Sequence, residues 1–313
     1  MTYSIVARDP VTGYLGVAVQ SKFLAVGSVV PWARAGVGAI ATQSFANAAY
    51  GPDGLALLAG GTTAAETLAT LTGADALREE RQAGIVDASG RSATFTGHGC
   101  FAWAGGRTGP DYAAQGNIIA GAAVVDGLAE TFEAGGRPLP ELLVSCLMAA
   151  DAAGGDRRGR ESAALLVVRE GGGYAGGNDR WIDLRVDDHP DPITELARLL
   201  DLMRLYFDRP TPDELVPIDA TLAAELRGRL ERIGWAPGRA GGPIYAPMWP
   251  DAAPAADVRP VVGVARSLPD GWDEEWGRSF VDWMAVENLE ERTAAAGWVD
   301  PRVLAYLRTA SER

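Results

Sequence analysis

Apolar and small residues run almost unbroken from Tyr3 to Ala7, and Asp9-Pro10-Val11-Thr12-Gly13 then supplies turn-forming side chains. A strand pattern resumes over 14–20, so the chain is predicted to open on a β-hairpin. Strands are also predicted at 26–32 and 36–43. Both are rich in Gly, Ala and Val and nearly free of charge, as expected of strands buried between layers. A helix is predicted to open near Pro52-Asp53. The next has Thr63 as N-cap and Glu66 three residues on, a capping box. Residues 82–97 read as a second hairpin turning at Ala88-Ser89-Gly90. A strand over 112–119 leads into helices at 122–133 and 139–152. A strand over 162–169, a Gly171-Gly172-Gly173 turn and a strand over 180–187 follow. Asp191-Pro192 then starts another helix, with Asp as cap and Pro in the first helical position.

Hairpins dominate this order, which excludes purely parallel βαβ alternation. The expected class is α+β, a four-layer αββα sandwich of two antiparallel sheets with helices on both outer faces. After Asp208-Arg209-Pro210-Thr211-Pro212 the character changes, giving a core over 1–208 and a small, mainly helical C-terminal domain over 209–313. That domain holds a predicted helix at 219–233, a Gly/Pro/Ala-rich stretch over 237–260, and Trp272, Trp276, Trp283 and Trp298. Trp276, Phe280 and Trp283 have helical spacing. Aromatic residues so arranged either pack a small core or form a ligand-binding surface.

Charge narrows the function. The balance is 28 − 41 = −13, which argues against nucleic acid and against an anionic membrane surface. No apolar run has the length of a bilayer span, and the first residues carry no basic region of a signal peptide. Cys100 and Cys146 cannot build a disulfide framework, so a cytoplasmic location is expected. His98 and His189 are the only histidines, and no metal and no cofactor are expected. Asp187-Asp188-His189-Pro190-Asp191 matches no standard metal loop. On the strand before it, Asp183, Arg185 and Asp187 alternate with apolar residues, a face suited to a subunit interface or a salt-bridge ladder. Gly171 to Gly177 lacks the Lys-Ser/Thr pair and following helix of a phosphate loop.

Chemistry could begin at Thr2. Methionine removal in front of a small residue would leave a terminal threonine holding hydroxyl and α-amine in one residue. The amine, with a reference pKa near 8, can accept the hydroxyl proton directly or through water. No histidine is needed. Cys100 is the rival nucleophile, with His98 two residues away on the same face if this is a strand; a buried small hydrophobe is the other reading of Cys100.

The pattern Thr2-x-x-x-Val6-Ala7-x-Asp9-x-x-x-Gly13-x-x-x-Val17-Ala18-x-x-Ser21 resembles the first hairpin of N-terminal-nucleophile (Ntn) hydrolases. More closely, residues 2–207 are similar to an uncharacterised prokaryotic family of that superfamily, a domain of unknown function. The stretches carrying this are Ser4 to Pro10, Ser21-Lys22-Phe23, Val30 to Gly38, Gln115-Gly116-Asn117 and Arg185 to Pro192. The tail, around Glu287 to Arg292 and Asp300 to Leu304, is similar to a peptidoglycan-binding module.

The resemblance implies an amidohydrolase that cleaves a small amide or peptide-like bond through Thr2. The alternative is a non-catalytic ligand-binding or assembly protein on the same fold. It further implies that Lys22 or Arg34 assists electrostatically, unless either is a rim salt bridge. Asp156 and Ser162 would orient the amine, unless Asp156 pairs with Arg157, Arg158 or Arg160. Ser21, Gln43, Gln115 and Asn117 are the expected substrate contacts, although the Gln115 to Asn117 segment could equally cap the next helix. The implied partner is a small-molecule amide, within a homodimer or higher homo-oligomer.

Overall fold

The computed structural model describes residues 2–238 and 261–312. The chain divides into two compact units, Met1–Leu200 and Asp201–Arg313.

In the first unit, β1 (Thr2–Arg8) and β2 (Leu15–Ser21) form the opening hairpin, with Thr2 opposite Ser21 and Arg8 opposite Leu15. Two further strands, β3 (Pro31–Arg34) and β4 (Gly38–Ser44), pair with each other. After helices α1 (Tyr50–Ala59) and α2 (Ala64–Ala74), β4 is joined by β5 (Arg81–Asp87) and then β6 (Ser92–Thr96). Next come β7 (Gly105–Gly109), β8 (Tyr112–Asn117), α3 (Ala122–Ala134), α4 (Leu139–Ala152), β9 (Ser162–Val168) and β10 (Arg180–Val186). These make a six-stranded sheet in the order β10-β9-β2-β1-β8-β7 and a four-stranded sheet in the order β3-β4-β5-β6, with neighbouring strands antiparallel throughout.

Helices α1 and α2 cover the four-stranded sheet, α3 and α4 cover the six-stranded one, and β1 and β8 meet β4 and β5 across the middle. This is the αββα arrangement read from the hairpin-rich order. Alternation along β1 explains it: Ser4 and Val6 face the second sheet while Ile5 faces the helices, and all three are fully buried. The core between the sheets is built from small aliphatic residues, among them Val6, Val17, Val19, Val30, Ala39, Ala41 and Val86. Close layers require small residues at contact points. At Gly51 in α1, a Cβ would lie 2.1 Å from the Trp32 ring of β3. The predicted capping box starts α2: Thr63 Oγ1 accepts from the Glu66 amide at 3.2 Å, and Glu66 Oε2 accepts from the Thr63 amide at 2.8 Å.

Two local expectations fail. The strand expected over 26–32 is a single 3-10 turn, Val26–Ser28, entered from Ala25 in the left-handed conformation (φ 52°), and β3 begins only at Pro31. The Val26 amide donates to the Ser162 side-chain Oγ at 3.1 Å instead of to a strand carbonyl. Strand β7 was not foreseen, because three of its five residues are glycine and carry no hydrophobic periodicity.

Helix α5 (Pro192–Phe207) runs through the boundary between the units. The second unit contains α6 (Ala220–Arg232), α7 (Glu274–Val286) and α8 (Pro301–Ala310), with the two-residue strands β11 (Val216–Pro217) and β12 (Trp298–Val299) paired. Trp272, Phe280 and Trp283 are buried with Leu226, Leu230, Leu304 and Leu307, so these aromatic residues serve as core. Trp276 stacks on Trp272 at 6.4 Å between ring centroids. The Gly/Pro/Ala-rich stretch noted over 237–260 lies, from 239 on, outside the described residues. Among the described residues no helix is long and apolar enough to cross a membrane.

Candidate active site

Because β1 pairs on both sides, its first residue is held at the end of the six-stranded sheet, with Ser21 of β2 and Asn117 of β8 as its neighbours. Thr2 Oγ1 lies 3.0 Å from Ser21 Oγ. Thr2 and Ser21 open onto a cavity of about 380 Å³ together with Gln43, and Val26, Val29 and Val30 form its apolar side. Phe23, Ser44, Phe45, Ala46, Arg81 and Arg158 complete the lining. Hydroxyl, neighbouring hydroxyl and cavity therefore coincide at the start of the chain.

Behind this cavity the two sheets are joined by a buried amide network. Ser4 Oγ donates to Gln43 Oε1 at 2.7 Å; Gln43 Nε2 donates to Gln82 Oε1 at 2.7 Å and to the Thr2 carbonyl at 3.3 Å. Gln115 Nε2 donates to Ser4 Oγ at 2.7 Å, and Asn117 Nδ2 donates to Gln82 Oε1 at 2.9 Å. Gln82 Nε2 donates in turn to the Gly116 carbonyl at 2.8 Å and Thr96 Oγ1 at 2.9 Å. At Gly84 a Cβ would lie 2.0 Å from Gln115 Oε1, so the glycine admits the amide between the sheets. Gln115 and Asn117 are fully buried and are not in the cavity wall. Their geometry is that of braces for the strand bearing Thr2. Gln43 does both, bracing the Thr2 carbonyl and lining the cavity. Gln82, the hub, was missed; its one signal was a polar side chain next to the apolar run Ala83 to Val86 of β5.

The expected cations lie elsewhere. Lys22 Nζ pairs with Glu161 at 3.3 Å and is not in the cavity wall. Arg34 is exposed and lines a separate concavity of about 870 Å³ beside the β1–β2 turn, with Tyr14 and Arg169. Six residue steps of β1 separate that turn from Thr2, roughly 20 Å at ~3.3 Å per residue. The cavity's own cations are Arg158 and Arg81. Arg81 donates to Asp75 at 2.9 Å and to the Phe45 carbonyl. Its guanidinium holds the Asp75 carboxyl well below the usual carboxylate range, against the opposing effect of desolvation.

The buried Asp156 carboxylate accepts from the Lys22 amide at 3.0 Å and the Arg158 amide at 2.8 Å, and pairs with Arg158 Nη2 at 3.4 Å. Ser162 Oγ accepts from the Val26 amide and donates to the Phe23 carbonyl. Both residues thus fix the loop over 22–26 that walls the cavity. Ser162 also sits opposite Ser21 in the β2–β9 register.

Cys100 lies in a turn after β6, not on a strand, so the shared face with His98 does not form. Its Sγ donates to the Arg81 carbonyl at 3.3 Å, and burial pushes the thiol pKa up, opposite to what a nucleophilic thiolate needs. His189 Nδ1 accepts from the Asp191 amide at 3.0 Å, and among the described residues no cluster of His, Cys, Asp or Glu could hold a metal. Along the edge strand β10, Asp183 accepts from Arg180 at 2.7 Å and from Arg185 at 2.9 Å, a salt-bridge ladder within one strand.

Comparison with known proteins bears on this site. The model of a family described as "Family of unknown function (DUF1028)" matches residues 2–196. A second model, described as "Putative peptidoglycan binding domain", matches residues 263–307. A crystal structure of a DUF1028-family protein from Silicibacter pomeroyi is 30% identical, with a TM-score of 0.59, covering 65% of this chain and 89% of that one. Anbu (ancestral beta-subunit) from Yersinia bercovieri is 12% identical, covers 66% of this chain and 98% of its own, and has a TM-score of 0.30, too low to establish a shared fold. No curated protein matches the chain.

Proposed function

The chain belongs to the DUF1028 family of unknown function, and from that premise we propose that its first unit hydrolyses a small amide or peptide-like bond through Thr2. One observation carries the reading: the Thr2 hydroxyl, 3.0 Å from Ser21 Oγ, borders a cavity at the end of a doubly paired strand.

With Met1 removed, the Thr2 amine takes the Oγ1 proton, directly or through a water, as the oxygen attacks the amide carbon. The tetrahedral intermediate collapses, the C–N bond breaks, and that proton leaves with the amine product. Water then attacks the acyl-threonine ester, releasing the carboxylic acid and restoring the hydroxyl. Ser21 orients the Thr2 hydroxyl, and Arg158, paired with Asp156, lines the cavity. Asp156 and Ser162 shape the cavity wall, Gln43 fixes the Thr2 carbonyl, and Gln115 and Asn117 brace the strand.

The test is exact mass followed by a hydroxyl-directed acylating probe on the purified protein. Loss of Met1 and an adduct mapped to Thr2, absent in Thr2→Ala, are expected. A retained Met1, or equal labelling of the variant, ends the proposal. A non-catalytic ligand-binding protein is the second reading, favoured by the pairing of Lys22 with Glu161 and the remoteness of Arg34, which leave no lysine in the cavity wall. Ligand binding that survives Thr2→Ala, without turnover by either form, would support it.

A further inference from the structure

We infer that the bond cleaved belongs to an amide with an uncharged, apolar acyl group, selected by Phe23 and Phe45 at the mouth of the Thr2 cavity. This rests on the Thr2 reading above and adds the substrate class to it.

The surface around the mouth is unusual for this chain. Phe23 is 53% exposed, Phe45 58% and Phe101 60%. Among the described residues only one other phenylalanine, Phe207 of the second unit, is an exposed large hydrophobic side chain. Phe45 and Phe101 are in ring contact, their centroids 6.4 Å apart, and Leu24 beside Phe23 is 60% exposed. Single exposed apolar residues need no explanation, but a group of them rimming a concavity marks a binding site. Inside, Val26 and Val30 continue the apolar surface as buried side chains toward Thr2.

Phe23 also stands on anchored backbone. Its carbonyl accepts from Ser162 Oγ, the preceding Lys22 amide donates to Asp156, and the Ala25 amide donates to the Asp187 carbonyl at 2.9 Å. The ring is thus held out in water by a fixed loop, where it contributes little to folding. A ligand would find it already positioned.

Charge points the same way. Arg81 is paired with Asp75 and Arg158 with Asp156, so each cation of the cavity already has a carboxylate. A carboxylate-ended acyl group would enter a net acidic protein without gaining an uncommitted countercharge. The group next to Thr2 must be the acyl part, because it stays bonded to the threonine through both half-reactions while the amine departs.

The experiment uses the full chain, with Met1 removal verified by mass, and a series of β-lactones. Each acylates a hydroxyl by ring opening without a leaving group; their substituents are alkyl, phenyl, hydroxyl-ended or carboxylate-ended. Rates of adduct formation at Thr2 are read by intact mass. The alkyl and phenyl lactones are expected to react at least about tenfold faster than the polar pair. Phe23→Ser and Phe45→Ser should each remove most of that preference, with circular dichroism matching wild type. Equal rates across the series, a fastest carboxylate-ended lactone, or an undiminished preference in both variants overturns the inference while the Thr2 chemistry stands. No adduct at Thr2 from any lactone removes both. Loss of a dimer in Phe45→Ser with the lactone preference intact would assign the rim to a second copy of the chain and overturn it too.

Discussion

Replacing Gln82 with Leu should destabilise the first unit by roughly 3–5 kcal/mol and loosen the strand that carries Thr2. The Gln82 side chain accepts from Gln43 and Asn117, and its two Nε2 protons are shared among Thr96 Oγ1 and the Gly105 and Gly116 carbonyls. Leucine makes none of them. Asn117 Nδ2 has Gln82 as its partner and would be left as a buried donor, at a cost of roughly 1–3 kcal/mol. Gln43 keeps its bond to the Thr2 carbonyl, and half-buried Thr96 can turn to water, so these ends cost less. The two carbonyls each lose a donor, at roughly 1 kcal/mol apiece at most. The assay is native-state amide hydrogen exchange read on peptides from β4, β5 and β8, which isolates this unit from the second one. Protection there should fall by on the order of a hundredfold or more, since every ~1.4 kcal/mol is a factor of ten. If exchange changes less than about fivefold, the amides are not a cooperative brace and their placement beside Thr2 has another cause.

In the second unit, Arg292 and Asp300 form a 2.6 Å ion pair, 4% and 1% exposed, and Arg292 also donates to the Leu205 and Arg204 carbonyls; Asp300→Ala should cost about 3–5 kcal/mol by stranding the guanidinium, measured by exchange of α8 peptides. Hydrogen bonds from Arg308, with help from Arg229, lower the Glu225 pKa to about 2. That folded pKa lies below the unfolded value near 4.3, so its stabilisation is complete above pH ~4.3 and is lost as pH falls toward 2; solvent screening keeps it under about 1 kcal/mol. Acid titration of Glu225→Gln should therefore show a shallower loss of stability than wild type across that window. Thr63→Ala removes the α2 cap and should cost about 1 kcal/mol, seen as faster exchange confined to the first turn of α2.

Most of the order of elements, apart from the 26–32 segment and β7, could be read from the chain, as could the antiparallel sandwich, the α2 capping box and the helical spacing of Trp276, Phe280 and Trp283. Each is a local property: periodicity, turn chemistry and caps act within a few residues. Thr2 as the candidate nucleophile was legible for the same reason, since its hydroxyl and amine belong to one residue. What surrounds Thr2 was not, because it depends on which strands become neighbours. Ser21 meets Thr2 through hairpin register, whereas Gln82 and Gln43 converge on it from the other sheet. Lys22 follows Ser21 immediately in sequence, yet its ammonium pairs with Glu161, while Arg158, far along the chain, lines the cavity. Arg34 is carried by the β3–β4 hairpin to the opposite end of the sandwich. A strand's direction and partner fix the end to which a side chain goes, and spacing along the chain contains neither; only the packed sheets decided it.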